Sequence, residues 1–156
     1  MILSQRDKRW ANDKLGNSNL TIGQDGCTAT CLAMVNNDFG ANCTPLDVAE
    51  HKDWFTPQGL ILWYKLNLKF AVFQERVRSF KPQEISHALN DHNKRVMLEL
   101  LLPRNTKHWV IAQANSGSST YQIRDPWDGT LCSSTKYGPV VGYAIFNKRI
   151  PSHDIA

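Results

Sequence analysis

Near residue 70 the chain changes character. Helix signals give way to short runs rich in Val, Ile, Leu and Tyr, set close together with turn formers between them. Residues 70–77, 95–102, 108–114, 121–124 and 140–146 read as strands. Lys81-Pro82-Gln83-Glu84 opens a helix after the first of them, with Ile85, Ala88 and Leu89 on one side. Neighbouring short strands late in a chain favour an antiparallel sheet, which the helical first half then has to cover. The expected class is α+β, with the helices packed to one side of the sheet. No pattern of βαβ crossovers and no glycine-rich phosphate loop is present.

The first half supplies the covering layer. Residues 1 to about 24 read as irregular polar chain with one aromatic anchor, Trp10. A helix is predicted over 26–38, with Cys27, Cys31, Met34 and Val35 on or near one face; Asp25 and Gly26 are its start signals and it ends before Gly40. Thr44-Pro45-Leu46-Asp47 combines a cap, a proline at the first helical position and an acid three residues on, and opens a short helix to about His51. Thr56-Pro57-Gln58 repeats the cap and proline and predicts a helix through Trp63 and Leu66.

A chain of 156 residues fits one domain with a real core, and 42% hydrophobic against 21% charged residues is the mixture of a soluble globular protein. The net charge of +4 comes from scattered basic residues, which suits a solvated surface and not a nucleic-acid footprint. No window reaches 18 apolar residues, so no membrane insertion is expected, and the opening residues lack the apolar run of a secretory signal. Four cysteines are too few for a disulfide framework and match no zinc spacing; reduced thiols place the chain in the cytoplasm during synthesis. His51, His87, His92 and His153 have no companion acid at a defensible spacing, so no metal and no cofactor are expected.

Cys27 falls in the first turn of its helix, where unpaired N–H groups and the positive helix end favour a thiolate. A cysteine there is either a nucleophile or a small core residue. The segment 108–125 reads as a hairpin, and a turn centred between Ser116 and Gly117 sets His108 opposite Asp125. Opposed residues share a face with Cβ atoms about 5 Å apart, so the carboxylate is placed to orient the imidazole. Cys27, His108 and Asp125 thus supply nucleophile, base and orienting group. The structural alternatives are a core thiol, a polar strand end and turn chemistry at Asp125-Pro126.

Four pieces of sequence sharpen this. They are Ser4-Gln5-Arg6-Asp7-Lys8-Arg9-Trp10 with Lys14-Leu15-Gly16; Thr21-Ile22-Gly23-Gln24-Asp25-Gly26-Cys27 leading to Phe39-Gly40 and Thr44-Pro45; His108-Trp109-Val110; and Asp125-Pro126-Trp127. In this order they resemble the C39-like branch of the papain-like cysteine peptidases, as found in bacterial and phage proteins. The resemblance implies one papain-fold domain over 1–156, with Cys27 as nucleophile, His108 as general base and acid, and Asp125 as orienting carboxylate. It also implies a glutamine whose amide joins the Cys27 N–H in an oxyanion hole. Gln5 matches the family's Gln-x-Asp-x-x-Trp opening, and Gln24 is the rival donor. Cys31 departs from the small residue usual in the family one turn after the nucleophile.

The reading is a cysteine peptidase or amidase working through a thioester acyl-enzyme, with a peptide or a peptidoglycan stem peptide as substrate. A phage-like version would be virion-associated or released. The rival is a non-catalytic phage structural protein, or a protein that binds a host factor, keeping a papain-like fold. The two differ in whether Cys27 is accessible and reactive.

Overall fold

The computed structural model describes residues 1–150; His153 lies outside the described residues. Six strands form one antiparallel sheet: β1 Ala71–Val77, β2 Lys94–Leu101, β3 Lys107–Asn115, β4 Tyr121–Asp125, β5 Thr130–Ser133 and β6 Val140–Lys148. Their spatial order is β1-β6-β2-β3-β4-β5. The helices are α1 Ile22–Asp25, α2 Cys27–Asp38, α3 Pro45–Ala49 and α4 Pro82–Leu89. The class is α+β.

Strand alternation divides the core into two layers. Met97, Trp109, Ile111, Ala144 and Phe146 pack with α2, α3 and the N-terminal segment. Val96, Leu98, Leu100, Val110, Ala112 and Ile145 pack with Ile85 and Ala88 of α4. Helices therefore cover both faces, and the expectation of a one-sided layer is corrected. The cause is visible in β2 and β3: Val96-Met97-Leu98 and Trp109-Val110-Ile111-Ala112 are continuous apolar runs, and such strands need cover on both sides.

Helix α2 is the centre of the first layer. Every residue from Ala29 to Asn36 is buried, because the sheet lies on one side and Trp10, Leu15, Ile22, Val48 and Trp54 lie in the same cluster. The buried amide of Asn36 accepts the Phe70 N–H at 2.9 Å. At the end of α2, Asp38 binds Arg95 at 2.8 Å and Arg124 on β4. Thr44 and Asp47 form the reciprocal capping box that the sequence signals for α3.

Three elements differ from expectation. The Thr56-Pro57 helix does not form: Leu60 N–H donates to Thr56 Oγ1 at 3.0 Å, Gly59 adopts φ +83°, and Phe55 bridges Ile61. The threonine that would cap a helix instead closes a tight turn, and only Trp63–Lys65 coils as a single 3₁₀ turn. Asp25 does not cap α2; Thr21 caps α1, accepting the Gln24 N–H at 3.3 Å, and Gly26 joins the two helices. Strand β5 has no strand signal of its own in the sequence; Asp128-Gly129, with Gly129 at φ +72°, lies in the turn that creates it.

Gly26 is fixed by space. A Cβ there would stand 2.4 Å from the Ile22 carbonyl oxygen and 2.7 Å from Ile22 Cα. Gly26→Ala is expected to destabilise the fold by about 1–3 kcal/mol, the usual cost of forced overpacking, read from denaturant melts.

Candidate active site

The α2–β3 contact sets the site. The β3–β4 ladder begins at Ile111, so it leaves the backbone of Trp109 without a β4 partner. Two thiols take that place. Trp109 N–H donates to Cys27 Sγ at 3.5 Å, and Cys31 Sγ donates to the Trp109 carbonyl at 3.5 Å. One helical turn separates the cysteines, which matches the two polar groups of a single strand residue. Cys31 is fully buried, and burial pushes its thiol well above the ordinary range. Cys27 is only partly buried and opens on a cleft of about 650 Å³.

His108, the neighbour of Trp109 on β3, places Nε2 2.9 Å from Asp125 Oδ1. That leaves Nδ1 as the ring nitrogen available to Cys27, which is near enough for thiol and imidazole to shift each other's pKa. The strand register is not the one expected. Ile111 opposes Arg124 and Ala112 opposes Ile123, so Asp125 lies level with Val110, two residues along from His108. The turn is the five-residue loop 116–120, closed by Ser116 N–H on the Thr120 carbonyl at 3.0 Å, and a bulge falls between Ala112 and Ala114. A slip of two keeps side chains on the same face, so His108 and Asp125 meet on the diagonal.

Asp125 is fully buried and accepts four hydrogen bonds. Oδ1 takes His108 and the Trp127 N–H at 3.0 Å; Oδ2 takes Lys136 Nζ at 2.8 Å and Tyr137 Oη at 2.6 Å. Sequence reading missed Lys136 and Tyr137, since no motif marks them. The Tyr137 ring also packs 4.8 Å from the His108 ring.

These contacts decide the charges. Burial opposes ionisation of Asp125, but its donors outweigh burial and hold the carboxyl far below the usual carboxylate range. Burial likewise opposes charge on His108, yet the hydrogen bond to Asp125 and the neighbouring Cys27 push its pKa up to about 9. Burial would raise the Cys27 thiol; its interaction with His108, together with the Trp109 N–H, brings it below the ordinary thiol value. Each group thus favours the charged form of the other, thiolate beside imidazolium, relative to an isolated thiol and imidazole.

Gln5 reaches this place through the N-terminal segment. Trp10 is buried and its Nε1 donates to the Ser4 carbonyl at 2.8 Å, while Gln5 N–H donates to the Pro126 carbonyl at 2.7 Å. The Gln5 side chain is buried in the cleft wall with Nε2 3.2 Å from the Gly23 carbonyl, which leaves a second Nε2 proton free. Gln24 also borders the cleft but is exposed. Trp109 is a buried wall; Trp127 is an exposed one, with the Arg6 guanidinium 4.7 Å from its ring centre.

No family model, curated protein or solved structure matches the chain. Its chemistry therefore has to be argued from the site itself. Among the described residues no His, Cys, Asp and Glu side chains converge as a metal-binding group, and no helix is long and apolar enough to cross a membrane.

The electrostatics predict how the thiols react. Iodoacetamide at pH 6 is expected to alkylate Cys27 ahead of Cys31, Cys43 and Cys132, all three of which have raised pKa values. In His108→Ala the largest lowering interaction is gone and only the Trp109 N–H and Thr28 remain to oppose burial, so Cys27 labelling at pH 6 is expected to fall sharply and to recover as pH rises. Peptide mapping across pH 5–10 measures both.

Proposed function

We propose that this protein is a cysteine peptidase or amidase with a papain-like, C39-like catalytic arrangement. One observation carries the reading: a partly buried thiol at the head of a twelve-residue helix meets an imidazole whose far nitrogen is held by a fully buried carboxylate. The order of the four sequence pieces and an α+β fold with helix α2 against the sheet agree with it.

In the proposed mechanism the Cys27 thiolate attacks a substrate carbonyl carbon and the C=O electron pair moves onto oxygen. The Cys27 N–H at the start of α2 and the free Nε2 proton of Gln5 stabilise that oxyanion. Collapse breaks the C–N bond, and His108 gives its proton to the departing amine, leaving a thioester on Cys27. His108 then takes a proton from water, which attacks the thioester and releases the acid. Asp125 keeps the imidazole oriented through both steps and stabilises its charged form. The substrate is a peptide or amide, with bacterial cell-wall peptides as the leading class.

Two results test this on peptides and purified peptidoglycan, with products read by mass spectrometry. His108→Ala should abolish turnover, and the wild-type rate should fall as pH rises through about 9, where His108 loses the proton the leaving amine requires. Gln5→Ala should lower turnover roughly 10²–10³-fold with little change in KM, since an oxyanion donor acts in the transition state. Near-normal turnover in Gln5→Ala beside a severe loss in Gln24→Ala would transfer that role to Gln24.

A further inference from the structure

Glu99 opens on the same cleft as Cys27 and His108, and nothing in the mechanism uses it. It stands on β2 directly opposite Trp109 and is only 8% exposed. Its Oε1 accepts Arg76 Nη2 at 3.0 Å. The other carboxylate oxygen accepts no hydrogen bond among the described residues, and Glu99 is part of the cleft lining.

The carboxylate is held in place. Arg76 lies 4.8 Å from the Trp109 ring and 6.0 Å from the Trp63 ring, and its Nη1 donates to the Val77 carbonyl at 2.7 Å. Gly142 leaves room for the pair: a Cβ there would stand 2.7 Å from both Arg76 Nη1 and Glu99 Oε1. Arg76 is not among the residues that line the cleft, so of the pair it is Glu99, an acceptor, that the cleft meets. Asp25 adds a second carboxylate on the exposed rim; Lys107, the rim's cation, is solvated.

We infer that Glu99 is a specificity-determining residue that receives a cationic hydrogen-bond donor of the substrate, an ammonium or guanidinium on the side chain of a residue near the scissile bond. An acidic group in the same position meets an oxygen with no proton to share and is rejected. This rests on the cleft being the site of acyl transfer, and the experiment separates the two ideas. Iodoacetamide first establishes whether Cys27 is a reactive thiol. Peptidyl acyloxymethyl ketones then carry lysine, norleucine or glutamate at one position at a time, and the inactivation rate constant kinact/KI is measured for each.

At one position lysine should exceed norleucine by roughly 10- to 100-fold, the range for a hydrogen bond to a charged group, with glutamate slowest. Glu99→Gln keeps an oxygen for Arg76 but turns the cleft-facing oxygen into an N–H donor, and should bring the lysine-to-norleucine ratio close to one. A reactive Cys27 with no lysine preference at any position overturns the inference and leaves the hydrolase reading standing. A lysine preference that survives Glu99→Gln also overturns it. An inert Cys27 overturns both. If that variant fails to fold, Asp25→Asn on the exposed rim decides: a lysine preference it leaves intact supports Glu99, and one it abolishes overturns the inference.

Discussion

Asp125 is a carboxylate with no exposed surface, and a charge in that position survives only because four donors surround it. Those donors come from β3, from the turn after β4, and from the segment that follows β5. Each is fixed by the need to satisfy one buried charge. The Trp127 N–H shapes the turn whose Pro126 carbonyl in turn receives Gln5, so the same carboxylate indirectly positions the N-terminal segment. His108 draws its raised pKa from this arrangement, and Cys27 draws its lowered pKa from His108.

The early departure of β4 from β3 has a comparable reach. Because pairing starts at Ile111, Trp109 offers a free N–H and a free carbonyl, and α2 docks by filling them with Cys27 and Cys31. Cys31 has a local explanation: its S–H satisfies a buried carbonyl that a smaller apolar side chain would leave unpaired. The two thiols at i and i+4 behave oppositely because one faces the imidazole and the other faces only the core.

Much of this was legible in the sequence, and the reasons differ by element. The extent of helix α2 and the capping box of α3 follow local signals that depend on a few adjacent residues, although Asp25 ends α1 and does not cap α2. The Thr56 turn misled because the same hydroxyl serves a helix cap or a loop closure, and Gly59 decides between them only through its left-handed backbone. The hairpin count put His108 across from Asp125 for an inexact reason. The loop is longer than a two-residue turn and a bulge intervenes, yet the even shift preserves the face. Lys136, Tyr137 and the Arg76–Glu99 pair were illegible, since each acquires its place from strand pairing across the sheet and not from neighbours in sequence.

Adjacent residues of β4 explain how two distant parts of α2 keep a fixed relation. Arg124 and Asp125 point to opposite faces, as successive strand residues must. Arg124 reaches Asp38 at the C-terminal end of α2, and Asp125 reaches His108, which meets Cys27 at the N-terminal end. Twelve helical residues span about 18 Å, so the end of β4 acts as a common reference for both ends of that length. A buried ion pair adds little net stability when both partners are counted, because desolvation offsets attraction. What the Asp38–Arg124 pair contributes is position: it ties the C-terminal end of α2 to the residue next to Asp125, while the interdigitated apolar layer fixes the rest of the helix on the sheet.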